Sequence, residues 1–273
     1  MPESIVAEPL IATGPVLLEL DGAVARLRLN RPEVSNGLDV PLLKALYEAL
    51  MRCHGEPRVR ALLLSGEGPH FCAGGDVKTF ASKGEALPDY LREATSWLQI
   101  CASALMRLEA PVVTIVHGFA AGGGGFGLVC ASDLVIAAES ARFLLGATRV
   151  GMAPDAGSSV TLQRIVGARR AMEIALTNPT LTATQALDIG LVTRVVPDDR
   201  LEAEGIKLAT ELAAGPTRAL AETKRLMWEG IGRSVEDCLP DESRTVSALS
   251  GTEDAREGLA AVIERRAPAY KGR

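Results

Sequence analysis

Aromatic residues are scarce in this 273-residue chain: two Trp, three Tyr and five Phe make up 4% of it. Single-stranded nucleic acids are held on aromatic stacking platforms beside a basic groove. Here 34 acidic residues outnumber 29 basic ones, leaving a formal net charge of −5, so no nucleic-acid partner is expected. Histidine is rarer still, with three in all, and the five cysteines (Cys53, Cys72, Cys101, Cys130 and Cys238) lie far apart with no CxxC pair. Without HExxH or clustered Cys and His, no zinc site is expected, and each cysteine reads as a small buried hydrophobe. Apolar runs are broken by charge or glycine well before the ~18 residues that cross a bilayer. The run Met1-Pro2-Glu3-Ser4 is acidic where a secretory signal is basic. A cytoplasmic protein without a membrane partner is the expectation.

What the chain does have is a large apolar inventory, 47% hydrophobic against 23% charged, enough to bury a sizeable core. Its length exceeds an average domain of ~150 residues, which points to one large domain or a core with an appendage. Ala25, Leu27 and Leu29 alternate with Arg26 and Arg28, and Asp21-Gly22 separates them from a similar run, so 16–30 predicts a β-hairpin. A helix is predicted over 42–53, with Asp39 as cap and Pro41 in the first turn. Short apolar strands over 59–65, 111–117 and 134–138 alternate with helices over 90–108, 158–166, 168–177 and 183–189, the last capped by Thr182. Strands apolar on both faces and separated by helices predict an α/β layered fold. From Leu201 the strand signals stop, and four helices are predicted over 201–213, 217–228, 234–250 and 253–266. The chain thus divides into a core, 1–200, and an all-helical region, 201–273, which has too thin a core to stand alone.

Three segments carry candidate chemistry. Two are glycine-rich loops after strand-like runs, His70 to Lys78 and Val116 to Phe126. Glycine lets backbone N–H groups approach a ligand closely, and a loop that opens a helix adds the helix dipole. A pair of such loops suits an oxyanion hole, in which two amides stabilise a developing enolate. Glycines that merely allow tight turns are the plainer reading. Neither GxxxxGK[ST] nor a fitting GxGxxG is present, so a nucleotide phosphate cradle is set aside. The third segment, Arg149 to Ser158, holds one carboxylate, Asp155, among small and apolar neighbours that would raise its pKa. An Asp before a helix is commonly just an N-cap.

Leu29-Asn30-Arg31-Pro32 with Asn36, the run Phe71 to Asp76, His117-Gly118 with its glycines, Asp133, and Gly190-Leu191-Val192 together resemble the crotonase (enoyl-CoA hydratase/isomerase) superfamily. The ordered set spans most of the chain, from about Val16 to Tyr270. The resemblance implies a crotonase-like spiral of repeated ββα units with a helical C-terminal trimerisation region. It also implies acyl-CoA thioester substrates, a homotrimer or dimer of trimers, and no metal or redox cofactor, coenzyme A being part of the substrate. By position, the oxyanion donors fall on the N–H of Gly75 and of Gly123 or its neighbour Gly124. Ala73, Gly74, Gly75, Asp76, Val77 and Lys78 would flank the substrate, with Lys78 near the phosphates. Trp97 and Leu98 are candidate walls of the acyl pocket.

Departures from the family pattern narrow the chemistry. The two glutamates that position and activate water in the family's hydratases fall on Phe126 or Gly127 and on Ala147. None of these can move a proton. Asp155 instead falls where family isomerases resembling phenylacetate-epoxide and dienoyl-CoA isomerases carry an acid/base aspartate. The expectation is an acyl-CoA isomerase with Asp155, Gly75 and Gly123 as its catalytic groups. Two alternatives stay open: a hydratase or other thienolate reaction (decarboxylation or ring-opening hydrolysis), and a non-catalytic acyl-CoA-binding protein.

Overall fold

Residues 7–272 are described by a computed structural model; Met1 to Ser4, discussed above, lie outside them. Strands β1 (Glu8–Ile11), β2 (Val16–Asp21) and β3 (Val24–Leu29) form an antiparallel meander, and the expected hairpin turns at Gly22. Leu18, Leu20, Leu27 and Leu29 point inward, while Arg26 and Arg28 pair with Glu19 on the other face. Asp39 caps α1 (Val40–Gly55) by accepting from the Leu42 amide at 2.9 Å, as its spacing predicts.

Strand β4 (Ala61–Gly66) pairs parallel with β3. Helices α2 (Val77–Ala81) and α3 (Leu87–Arg107) follow, then β5 (Val112–Val116), β6 (Phe119–Ala121), α4 (Gly122–Cys130), β7 (Leu134–Ala138) and β8 (Arg142–Leu144). Next come α5 (Ser158–Val166), α6 (Ala168–Thr177), β9 (Leu181–Thr182), α7 (Ala183–Asp188) and β10 (Arg194–Val196). Two sheets result. The larger has the order β1-β2-β3-β4-β5-β7-β10, parallel from β3 onward; the smaller is β6-β8-β9. After β5 and after β7 the chain drops into the small sheet, at β6 and β8, before it turns helical. That is the ββα repeat which the resemblance implies.

Four further helices complete the chain: α8 (Leu201–Ala213), α9 (Thr217–Gly230), α10 (Val235–Ser250) and α11 (Glu253–Glu264). Among the described residues no strand follows β10. The first of the four, α8, packs across β4, β5 and β7 and so covers the large sheet. The next, α9, is fastened by a buried ion pair. The Lys224 ammonium lies 2.8 Å from Asp133 Oδ2 and donates to the carbonyls of Leu105 and Ala110, at 2.9 and 3.2 Å. Asp133 also accepts from the Val112 amide and from Trp228 Nε1, at 2.7 and 2.8 Å.

Candidate active site

The loop after β4 is held in place by polar side chains that never reach the site. Asn36, fully buried and left-handed at φ 54°, donates Nδ2 to the carbonyls of Glu67, His70 and Phe71 at 2.8–3.0 Å. Further on, the Leu38 amide donates to Gly74 O at 2.7 Å, and the Asp76 amide donates to Leu38 O at 3.0 Å. Gly75 sits between these two anchored residues, and its own N–H enters neither bond. The Asp76 carboxylate caps α2 at the Thr79 amide (3.0 Å) and faces Arg31 Nη2 at 3.3 Å, which helps to hold it below the usual carboxylate range although burial opposes this. Arg31 in turn binds Asp39 at 2.9 Å and Gly37 O at 2.7 Å.

Across from this loop the glycine run proves to be helix. Gly122 to Gly125 form the first turn of α4, and no side chain caps it. The leading N–H groups of a helix have no partner four residues back, so they remain available to a ligand. The two loops touch: a Cβ on Gly122 would come within 3.5 Å of the Gly75 nitrogen.

Asp155 lies against this helix end. A side chain at Gly123 would run into its Oδ1, so the carboxylate occupies the space that glycine leaves free. The plain N-cap reading of Asp155 fails: α5 is capped at Gly157, with no side-chain bond, and the Asp155 carbonyl, not its carboxylate, accepts from Ser158. Its Oδ1 is shut off from solvent and has no hydrogen-bond partner among the described residues. Burial pushes the carboxyl above its ordinary pKa of 3.8, partly opposed by a bond to its own backbone. Removal from water disfavours the charged form and makes it a stronger proton acceptor.

A cavity of about 600 Å³ brings these pieces together. Ala73, Gly75, Val77, Gly123, Gly124 and Asp155 all line it. Gly74, Asp76 and Lys78 do not: Gly74 is buried against Ala121 and Gly122, Asp76 is tied to Arg31, and Lys78 is exposed on α2. Leu98 lines the cavity as expected, whereas Trp97 faces a surface groove and packs on Tyr47 at 5.8 Å. Leu38, Leu43, Phe80, Leu91 and Met152 also form walls. Sequence reasoning did not single these out, because an apolar residue that faces a cavity has the same local pattern as one that faces the core. Asp155 is the one carboxylate among the lining residues; the other polar side chains there are Thr95 and Arg149. The Thr95 hydroxyl donates to Leu91 O at 2.7 Å and Arg149 to Asn178 O at 2.5 Å. Cys72, beneath the loop, has its thiol pushed up to about 12 by burial, so it is a packing group.

A family model described as "Enoyl-CoA hydratase/isomerase" matches residues 19–273. This chain belongs to that family. A probable enoyl-CoA hydratase of Rhodobacter capsulatus is 38% identical over 93% of this chain and 97% of its own. The 1,2-epoxyphenylacetyl-CoA isomerase of Escherichia coli is 34% identical over 94% and 98%. Among solved structures, a putative enoyl-CoA hydratase from Streptomyces coelicolor A3(2) is 31% identical, with a TM-score of 0.91 over all of both chains. The enoyl-CoA hydratase/isomerase family thus includes relatives named for different reactions, and the residues of this cavity bear on which one applies. Phe126 is fully buried, Ala147 presents only a methyl group, and Gly127 backs onto Ala156. None of the three carries a carboxylate.

Proposed function

We propose that this member of the enoyl-CoA hydratase/isomerase family is an acyl-CoA isomerase with Asp155 as its sole proton carrier. The observation that carries the proposal is the lone carboxylate, one oxygen of it shut off from solvent, lining a cavity beside two glycine-rich backbone turns. Ionised Asp155 removes a proton from one carbon of the acyl chain. The electron pair of that C–H bond delocalises onto the thioester oxygen, where the N–H groups of Gly75 and Gly123 stabilise it as an enolate. Asp155, now protonated, returns the proton to a second carbon and regains its charge. No water enters the product, which is why one carboxylate suffices. Losing one such amide donor typically lowers the rate ~10²–10³-fold.

Coenzyme A enters as part of the substrate, its phosphates meeting Lys78, which is exposed on α2 outside the cavity lining, and no other cofactor takes part. The working form is a homotrimer or a dimer of trimers, a reading supported by the large apolar residues exposed on the C-terminal helices. The test is a panel of unsaturated and ring-bearing CoA thioesters in ¹⁸O-labelled water, followed by mass and ultraviolet absorbance. The expected product is isobaric with its substrate and free of label, and Asp155→Asn abolishes its formation while CoA-thioester binding persists by calorimetry. Label in the product would move the protein to hydratase or hydrolase chemistry. Binding without turnover across the panel would make it an acyl-CoA-binding protein.

A further inference from the structure

The residue after Asp155 has a conformation that side chains avoid. Ala156 is left-handed at φ 51° and almost fully buried. For an L-residue that backbone is unfavourable, and it persists only where the surroundings enforce it. What enforces it here is α4. A Cβ on Gly127 would lie 2.5 Å from the Ala156 methyl carbon, just as a side chain at Gly123 would meet the Asp155 carboxylate. Residues four apart share one face of a helix. Two successive turns of α4 therefore present bare backbone on the same face, and consecutive residues of the 154–157 turn bed into them: the carboxylate over Gly123, the methyl over Gly127.

Besides the bond to its own backbone, no polar contact with another described residue fixes the carboxylate. Its Oδ1 has no partner among the described residues, so no hydrogen bond from one of them aims that oxygen. Beyond Ala156 the chain is pinned, because Asp155 O accepts from the Ser158 amide and hydroxyl at 2.9 and 2.7 Å. The direction of the side chain is then decided by how closely Ala156 seats on α4.

We propose that Ala156 is a positioning residue whose methyl, wedged against the bare backbone of Gly127, aims the Asp155 carboxylate into the cavity. This rests on Asp155 being the proton carrier, so Asp155→Asn is measured first on the same thioester. Ala156→Gly removes the wedge and relieves the left-handed strain. Expected results are a kcat lowered about tenfold or more with KM nearly unchanged, and stability equal to or above that of the wild type. The carboxyl's own titration, followed by carbon NMR and assigned through Asp155→Asn, should fall by about half a unit or more as water reaches it. Gly127→Ala should lower kcat as well. The swapped pair, Gly127→Ala with Ala156→Gly, moves the methyl to the other side of the same contact and should recover turnover relative to Gly127→Ala alone. Wild-type kcat and an unshifted titration in Ala156→Gly, beside an inactive Asp155→Asn, overturn the wedge and leave the base assignment standing. Failure of the swapped pair to recover also overturns it. Full turnover by Asp155→Asn removes the premise instead.

Discussion

At the scale of single residues, Asp155 sets function against stability. Its carboxyl has a higher pKa folded than unfolded, because burial disfavours the charge. A group of that kind stabilises the fold relative to its ionised form below its ordinary value, and the advantage disappears as pH rises through the folded value. At neutral pH the ionised group is therefore a net burden on folding. Asp155→Asn is expected to raise the melting temperature at pH 7 by ~2–4 °C, the change that ~1 kcal/mol makes in a domain of this size. The gap should close toward pH 4, and calorimetry across that range checks it. An equal or lower melting temperature at pH 7 would mean that the carboxylate has a compensating partner. Turnover by the wild type should rise with pH over the same shifted titration, since only the ionised form accepts a proton.

Phe80 is the second residue with a specific consequence. Its ring edge lies where a methyl on Gly75 would sit, 2.5 Å from Cζ, and it packs edge-on against Tyr90 at 6.0 Å. Tyr90 is itself fixed, since its hydroxyl accepts from the Val40 amide at 3.2 Å. With Tyr90 packed against the ring and the cavity open beside it, Gly75→Ala should drive the ring into the cavity. Such overpacking is worth ~1–3 kcal/mol, so kcat/KM is expected to drop about tenfold, with KM carrying most of the loss. Adding Phe80→Leu should restore it, and absence of restoration would place the defect in the Gly75 amide rather than in the ring.

Among the elements, α4 shows where local sequence misleads. Glycine is a poor helix former, ~1 kcal/mol below alanine at each position, and four in a row read as a loop. Yet they are helical, because Leu38 presses on Gly124 and the Cys72 carbonyl on Gly125 where side chains would begin. Tertiary approach outweighs propensity here, and only the folded chain displays it. Much else was legible for equally physical reasons. Asp39 and Thr182 announce their helices because each side chain accepts from a backbone amide of the first turn. The strands of the small sheet, two or three residues each, are too short for any alternation to register. Asp155 could be nominated from its neighbours, but its contact with Gly123 joins residues 32 positions apart and lies beyond any local pattern.

The element α9 invites a separate measurement. Lys224 reaches the core through Asp133 and two carbonyls, and its removal leaves those three acceptors short of a donor. Breaking a buried pair by deleting one partner typically costs ~3–5 kcal/mol. Lys224→Met should lower the urea-derived unfolding free energy by about 3 kcal/mol. A loss below ~1 kcal/mol would show that α9 is held by its apolar contacts instead.

For the whole molecule, the issue is what covers the C-terminal helices. Leu259, Val262 and Ile263 are spaced three and four apart on one face of α11 and are 67%, 78% and 81% exposed. Val235, Leu239 and Val246 are similarly exposed on α10. Large apolar residues exposed together in this way mark an interaction site. The proposed assembly from copies of this chain supplies a cover for it. Fully burying one aliphatic side chain is worth ~1.5–3 kcal/mol, so glutamates at Val262 and Ile263 remove several kcal/mol from each contact and add a desolvation penalty. Wild-type protein should therefore sediment as a trimer or hexamer at micromolar concentration, and Val262→Glu with Ile263→Glu should shift it toward monomer while leaving its circular dichroism intact. A wild type that sediments as a monomer would rule out that assembly. An unchanged oligomer in the double variant would locate the contact away from α11, with the exposed face of α6 (Met172 and Leu176) next in line for the same test.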